Sequence, residues 1–378
     1  MSRDGDVGDV QEQADQEFLD AACLALRAQA DASPGGPGGP GGTGAGDVAG
    51  DGTPGTRSDP LRELGWFDLL PELADRDARV AALTLFRAQG RELAGTRALG
   101  ALLAQPFLAA AGLPPDAAVA TISRTSARRG ERLMVVGDVA DPAGAIGMAG
   151  TALLIDRPGH GAAVVPAEEV ELWPVAVSGR LELHEVIHGP ERWVPTVDEE
   201  HAAVARVRAR FLGRLAAALE ILGAAEGALA LAVAYARTRE QFGRPIGTFQ
   251  AVRHLLAWAQ TDCVALEKVT TAAAALDGVE AAPPRHDEVV KALAGRNGRR
   301  VCERALQVLG GIGFTSEHTH HHFHSRVLAL DALLGTSAEL THGLGAWLRE
   351  ADDDTTAAAL WTAPQQPQQP QRLLPSRS

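Results

Sequence analysis

A cluster of side chains that could bind an anion stands where an apolar, helix-like part of the sequence breaks. The stretch Tyr235–Gln250 reads YARTREQFGRPIGTFQ, and its Arg239, Gln241 and Phe242 come directly before a break rich in glycine and proline. Arginine presents a planar fork of donors that matches the oxygens of a phosphate group. An arginine and a glutamine beside backbone amides that glycine leaves open therefore indicate a phosphate site.

A second glycine loop follows another long apolar pattern. Residues Gln307–Phe314 read QVLGGIGF, and Gly310 and Gly311 would let a flat or charged ligand approach the backbone closely. Each loop alone also has an ordinary structural explanation. Glycine is common just after a helix, and an arginine near a helix end complements the helix dipole. A single loop favours that explanation, whereas the pair is more specific.

Five histidines crowd into the stretch EHTHHHFH, residues 317–324. On a continuous helix His318 and His322 are four residues apart, as are His320 and His324, and this spacing can bind zinc. A metal-binding helical protein is therefore a second hypothesis, with His318 and His322 as candidate ligands. A closed zinc site needs about four ligands, and no cysteine lies close in the sequence. The plainer interpretation is a polar helix.

The periodicity of the apolar residues predicts the elements that position these loops. From about Val197 onward, apolar residues recur at helical spacing in three long segments, which predicts an antiparallel helical bundle. Between about Ala118 and Pro195 the apolar runs are short and are separated by glycine, proline and aspartate. This pattern predicts a small β domain of about five strands.

The predicted fold class is mainly α with a small β domain. Residues 33–60 are rich in glycine and proline, and such a segment buries too little apolar surface to offset its ordering entropy. The predicted order is an N-terminal helix at 1–32, a disordered linker at 33–60, an N-terminal helical domain at 61–117, the β domain at 118–196, the helical bundle at 197–350 and a disordered tail at 351–378.

Composition excludes several classes of function. The chain has 378 residues and a net charge of −13, which opposes nucleic-acid binding because phosphate contacts need a basic face. Its 3 cysteines are scattered, which argues against a disulfide framework and a cysteine-based zinc site. The sequence offers neither the ~18 unbroken apolar residues of a membrane span nor a basic-then-apolar leader. We therefore expect no membrane span and a cytoplasmic location.

The order of the domains and the two loops together resemble the acyl-CoA dehydrogenase family. The segments YARTREQFGRPIGTFQAV and QVLGGIGF carry this resemblance, and the early segment LRELGWFDLL is similar to the family's N-terminal helical domain. The resemblance is strong from about Leu212 to Leu344, moderate from Leu61 to Gly112, and weak between them. It implies an N-terminal helical domain, a reduced β domain and a C-terminal four-helix bundle that dimerises.

The resemblance implies FAD as the cofactor. In the family, the arginine of the motif that matches RTREQFG binds the FAD pyrophosphate across a dimer interface, and the segment that matches GTS lies near the flavin. The residues that the resemblance assigns to FAD are Arg239, Gln241, Phe242, Phe249, Gln250, Gln307, Gly310, Gly311 and Thr336.

The family's reaction is the α,β-dehydrogenation of an acyl-CoA thioester, and it needs a carboxylate base whose pKa lies near the working pH. The family places that base at one of two positions, which the resemblance maps onto Gly213 and Leu334. Neither residue can accept a proton. Asp331, about one turn before Leu334, is a candidate for a relocated base, although a solvated carboxylate on a helix face is its plainer role.

The β domain also departs from the family, because it has no counterpart to the family's Thr-Glu-Pro…Gly-Ser-Asp stretch that holds the flavin ring. We therefore hypothesise a degenerate, non-catalytic subunit that lends FAD contacts to a partner dehydrogenase subunit in an α2β2 assembly. By family analogy, an electron-transfer flavoprotein accepts the electrons. The alternatives are a self-dimer that is active through a relocated base, and a metal-binding or purely structural helical bundle.

Overall fold

The computed structural model describes residues 19–27, 60–126, 130–136, 152–175, 183–276 and 284–350, together with the single residues 181 and 282. The predicted disordered tail at 351–378 and nearly all of the predicted linker at 33–60 lie outside these residues. The first elements are α1 (residues 19–27), α2 (Pro60–Glu63), α3 (Trp66–Leu69), a 3₁₀ turn (Leu70–Glu72), α4 (Arg76–Glu92) and α5 (Ala98–Ala110).

The β region forms two small sheets rather than one. The strands in the described part of this region are β1 (Ala118–Ala120), β2 (Ile122–Ser126), β3 (Gly130–Val136), β4 (Ala152–Arg157), β5 (Gly161–Pro166), β6 (Glu171–Val175) and β7 (Leu183–His188). One sheet has the order β1-β4-β5, with β1 parallel to β4, and the other is the antiparallel sheet β2-β3-β7-β6. The prediction of about five strands was too low. The β1 strand has only three residues, and β2 reads ISRTS, so neither gives a clear apolar run.

The bundle follows the β region. It contains α6 (Glu199–Thr238), a short hairpin of β8 (Glu240–Gln241) and β9 (Arg244–Pro245), a 3₁₀ turn (Ile246–Thr248), α7 (Gln250–Ala274), α8 (His286–Leu309), a second 3₁₀ turn (Gly310–Phe314), α9 (His320–Asp331) and α10 (Ser337–Glu350). The predicted class, mainly helical with a small β part, is confirmed.

Helix α6 is the centre of the molecule. It packs on α4, α5, α7, α8 and α9, and its middle turns are buried on every side. Its length and composition would allow it to cross a membrane, but 78% of its most apolar window is buried inside the fold, as in a core helix.

Glycine lets α4 and α6 approach each other at the level of their backbones. A Cβ atom on Gly90 would stand 2.0 Å from the carbonyl oxygen of Glu220, and one on Gly223 would stand 1.9 Å from the carbonyl oxygen of Arg87. Neither contact leaves room for a methyl group. The N-terminal helices and the bundle therefore share one continuous hydrophobic core.

Candidate functional site

The packing of the bundle brings the two predicted loops to the same end. Arg214 pairs with Asp287 at 2.7 Å, and further along both helices Ile221 contacts the backbone at Gly298, so α6 and α8 are parallel. Helix α7 lies between them in chain order and runs the other way. The end of α6, the start of α7 and the end of α8 therefore meet, and we call residues 239–250 and 307–314 the bundle tip.

A tight hairpin forms one half of the bundle tip. Phe242 and Gly243 connect β8 to β9 with φ angles of 53° and 76°, and two positive φ values in a two-residue loop are the signature of a type I′ turn. Asparagine, aspartate and glycine are the usual residues there, because a bulky side chain is strained at positive φ. Phe242 is nevertheless 93% exposed, so burial within this chain does not offset the strain.

The side chains around the hairpin form an exposed aromatic and basic cluster. The ring of Phe242 lies edge-on to Phe249 with centroids 6.1 Å apart, and the guanidinium of Arg244 lies 4.4 Å from the centre of the Phe249 ring. The Gln241 amide donates to the carbonyl of its neighbour Glu240 at 2.7 Å. Sequence reasoning did not single out Arg244, and its place directly after the glycine of the turn is the signal that could have found it.

Arg239 directly precedes β8, and its side chain is exposed to solvent. Its backbone is fixed at both ends: its N–H donates to Tyr235 and its carbonyl accepts from Ile246, each at 2.8 Å. Among the residues that the structure describes, its guanidinium makes no hydrogen bond or ion pair. Its donors are therefore available to an anion.

The second loop presents open backbone. Gly310 has a φ of 63°, and a Cβ atom built on Gly310 or Gly311 would meet nothing within 4 Å. Gln307 is exposed on the last turn of α8, and Gln250, the first residue of α7, is exposed as well. Donors and uncovered backbone at one end of the bundle suit the phosphates of a dinucleotide. Apart from Thr336, the predicted FAD residues are thus brought together at the bundle tip.

Thr336 and the two positions expected for a catalytic base lie at the other end of the bundle, in and around the turn formed by residues 331–337, which we call the base turn. A Cβ atom on Gly213 would stand 2.9 Å from Cδ1 of Leu334 and 2.5 Å from Cδ2 of Leu103. The two positions therefore converge in space, as alternative sites for one base would. Here leucine side chains fill that space.

The base turn is held by backbone contacts to two other elements. Leu334 has a φ of 58°, which is strained for a branched residue. Its N–H donates to the carbonyl of Ser123 in β2 at 3.2 Å, and its own carbonyl accepts from Nε of Arg214 in α6 at 3.0 Å. These two hydrogen bonds hold Leu334 in its strained conformation.

Asp331 is engaged within the fold. Its carboxylate accepts hydrogen bonds from the backbone N–H and the hydroxyl of Ser337 at 3.0 and 3.1 Å, and it lies 3.7 Å from the ammonium of Lys291. It thus fixes the start of α10 instead of lying free on a helix face, so the expectation of a solvated carboxylate is wrong. Sequence reasoning also missed Lys291, which is completely buried.

Of the two histidine pairs considered, His320 and His324 both lie on α9 with ring centroids 6.1 Å apart, whereas His318 and His322 do not share the helix. Helix α9 begins at His320, so His318 lies in the preceding turn and is not one helical turn from His322; the prediction was wrong because the helix starts later than the pattern suggests. His320 is buried with Nε2 at 2.9 Å from the carbonyl oxygen of Cys302, and burial lowers its pKa. Within the described ranges, no group of three or more histidine, cysteine or acidic side chains could hold a metal ion.

Comparison with known proteins agrees with this architecture. The family model of the acyl-CoA dehydrogenase C-terminal domain matches residues 208–347, which include the bundle tip and the base turn. This segment therefore resembles the C-terminal domain of acyl-CoA dehydrogenases, and a curated acyl-CoA dehydrogenase also matches part of the chain.

The relatives cover different shares of the chain. The acyl-CoA dehydrogenase FadE34 of Mycobacterium tuberculosis is 38% identical over 148 residues, which are 37% of this chain and 19% of FadE34. The ChsE4-ChsE5 complex from the same organism matches 93% of this chain and 99% of the compared chain, with a TM-score of 0.57 and 22% identity. A variant of the steroid acyl-CoA dehydrogenase Tcur3481-Tcur3483 matches 92% and 98%, with a TM-score of 0.61 and 21% identity. The structural matches support the fold, and the chain spans less than a quarter of the length of FadE34.

Proposed function

We propose that this chain is a non-catalytic subunit of a flavin-dependent acyl-CoA dehydrogenase and that its bundle tip binds the phosphates of an FAD held mainly by a partner subunit. The observation that carries the proposal is the exposed guanidinium of Arg239, which has no partner among the described residues. It stands beside Phe242, a strained aromatic residue that is 93% exposed.

The residues of the bundle tip fit the phosphate and adenosine part of FAD. Arg239 supplies a bidentate donor for a phosphate oxygen, Gln241, Gln250 and Gln307 supply further polar groups, and the uncovered backbone at Gly310 and Gly311 admits close approach. Phe242 and Phe249 offer flat apolar surface beside them. When bound, FAD supplies the redox chemistry by accepting a hydride from the acyl-CoA. The role of this chain is to bind and orient the cofactor.

The length of α6 supports a flavin shared between subunits. From Gly213 beside the base turn to Thr238 at the bundle tip, the helix rises roughly 38 Å at about 1.5 Å per residue. One FAD molecule is too short to reach from Arg239 to Thr336 of the same chain. The two ends therefore cannot serve the same flavin, and on this proposal a partner subunit completes the flavin site at the bundle tip.

The base turn supports a non-catalytic role for this chain. A base must lie within reach of the substrate's α proton, and leucine side chains fill the space at both expected positions. The partner would then carry the base for the α,β-dehydrogenation of an acyl-CoA thioester. Among the structures with a similar fold is a complex of two named components, ChsE4-ChsE5, and we propose an α2β2 arrangement with electron-transfer flavoprotein as the acceptor.

The experiment is to co-express the chain with candidate acyl-CoA dehydrogenase partners and to measure FAD per complex by absorbance. We expect an Arg239→Ala complex to bind FAD about ten- to a hundredfold more weakly, the effect of losing a hydrogen bond to a charged group. An Arg237→Ala complex is the matched control, because Arg237 is also exposed and lies half a turn earlier. Full FAD loading and acyl-CoA turnover by the isolated chain would overturn the proposal in favour of an active self-dimer.

A further inference from the structure

A buried lysine lies directly beneath the base turn. Lys291, in the second turn of α8, is completely inaccessible to solvent. Its ammonium donates to the carbonyl oxygens of Asp331 at 3.1 Å and Gly335 at 3.3 Å, and it lies 3.7 Å from Oδ1 of Asp331. It therefore joins the residue that opens the base turn to the glycine directly before Thr336.

A glycine one helical turn further along α8 makes room for the same carboxylate. A Cβ atom on Gly295 would stand 1.8 Å from Oδ1 and 2.6 Å from Cγ of Asp331, and 2.9 Å from Cβ of Ser337. Lys291 and Gly295 thus form a notch in α8 into which Asp331 inserts. From within this notch Asp331 accepts the two hydrogen bonds from Ser337 that begin α10.

The surroundings of the notch disfavour, on balance, the charged form of Lys291. Burial lowers the pKa of Lys291 to about 8, Asp331 acts in the opposite direction, and Arg214 on α6 lowers it further. Arg214 is itself paired with Asp287 and Glu288 on α8. Burial of an ammonium group costs desolvation free energy, which only well-made hydrogen bonds and ion pairs offset. Here the hydrogen-bond acceptors are backbone carbonyl oxygens of the base turn.

We propose that Lys291 and Asp331 are positioning residues, which hold the base turn in its strained conformation and so fix the place of Thr336. The strained φ of Leu334 needs such support, because an unrestrained leucine leaves the left-handed region. The part of this inference that concerns Thr336 and the flavin rests on the proposed function. The positioning of the turn itself does not, and can be measured in the isolated chain.

The composition of the chain gives a direct assay. The sequence contains only two lysines, Lys268 and Lys291, and Lys268 is exposed on α7. Acetylation of the full-length chain by an N-hydroxysuccinimide ester, mapped by mass spectrometry, therefore reports opening of the notch as the rate at Lys291 relative to Lys268. We expect Asp331→Asn and Gly295→Ala each to raise this ratio about tenfold or more. The first removes the charge that accepts the hydrogen bonds from Ser337, and the second displaces the carboxylate that accepts them.

A matched control separates the notch from a general loss of stability. Gly345→Ala adds the same methyl group to α10 where the nearest atom is 3.6 Å away, and we expect no change in the ratio. Hydrogen exchange at the amides of residues 334–337 should quicken in Asp331→Asn and Gly295→Ala while exchange in the centre of α6 stays unchanged. Equal quickening at both places, or an unchanged acetylation ratio, would overturn the proposal.

The flavin arm uses the FAD-bearing complex. If Thr336 contacts the flavin, the visible absorbance spectrum of the Asp331→Asn complex should shift while the Gly345→Ala complex keeps the original spectrum. A complex with no FAD would defeat the proposed function and leave the acetylation and exchange results standing. A complex with FAD and an unchanged spectrum would defeat only the link between the turn and the flavin. Asp331→Asn keeps the size of the side chain, so this arm holds even if Gly295→Ala fails to fold.

Discussion

Leu334 packs against the backbone of Gly213: its Cδ1 atom lies 2.9 Å from the place where a Cβ of residue 213 would stand. The two residues are far apart in sequence, one on α6 and one after α9, yet they occupy one point in space. A carboxylate introduced at either position would have to displace apolar side chains that already fill that point. Apolar packing therefore occupies both positions at which the resemblance would place a base.

The first prediction concerns Gly213→Glu. We expect it to leave the isolated chain without acyl-CoA dehydrogenase activity and to lower the free energy of unfolding by about 2 kcal/mol or more, because a carboxylate would be buried among leucines. Gly213→Ala should be nearly neutral. The atoms that its methyl group meets are the ends of flexible side chains, and alanine favours a helix by about 1 kcal/mol over glycine. Urea unfolding and an acyl-CoA turnover assay would test both variants.

Gly223→Ala should behave differently from Gly213→Ala. The methyl group at position 223 would meet the backbone of Arg87 at 1.9 Å, and backbone cannot move aside as a side chain can. We expect a loss of roughly 3 kcal/mol, as for overpacked cores, measured by urea unfolding. Equal stability of the two variants would mean that α4 and α6 can separate without penalty.

Phe242→Asn should have opposite effects on the chain and on its complex. Asparagine suits the first position of a type I′ turn, so we expect the free energy of unfolding of the isolated chain to rise by about 1 kcal/mol as strain is relieved. Association with the partner and FAD should weaken, because an exposed aromatic contact is lost. Thermal unfolding and analytical ultracentrifugation would measure the two effects, and weakening of both quantities would contradict the prediction.

Lys291 should make stability depend on alkaline pH. Its pKa is about 8 in the folded chain and near the ordinary 10.5 when unfolded, so between these values the unfolded chain binds more protons. The free energy of unfolding of the wild type should therefore rise with pH across this window relative to Lys291→Met. The rise is at most about 3 kcal/mol, from the difference between the two pKa values. Parallel plots of the free energy of unfolding against pH for the two proteins would contradict this prediction.

The histidine run should not hold a structural metal. His318 lies outside α9, and the ring of His320 is hydrogen-bonded to the backbone carbonyl of Cys302. Removal of metal should therefore leave the fold unchanged. We expect less than stoichiometric zinc by elemental analysis and the same thermal midpoint before and after EDTA. One tightly bound zinc per chain together with a lowered midpoint after chelation would restore the metal hypothesis.

Local patterns in the sequence predict most of the helices. The long apolar periods predict α6, α7 and α8 as helices, and the short connections between them predict that neighbouring helices run in opposite directions. The grouping of Arg239 with Gln307 came from the family resemblance, and the directions of the helices place both residues at one end of the bundle.

The interior of the base turn could not be predicted in this way. The buried position of Lys291 depends on Asp331, 40 residues later, and on the absence of a side chain at Gly295. Nothing in the local pattern of α8 distinguishes a lysine directed into the core from one on a solvated face. The start of α9 at His320 could not be predicted for a similar reason: a run of histidines has no apolar period that marks where a helix begins.

The bare ring of Phe242 has a consequence for how the cell handles this chain. On the proposed function, a copy synthesised ahead of its partner exposes a rigid aromatic side chain to water, and exposed apolar surface favours self-association and binding by chaperones. We expect expression of the two proposed subunits to be balanced, because surplus copies of this chain would be degraded or would aggregate.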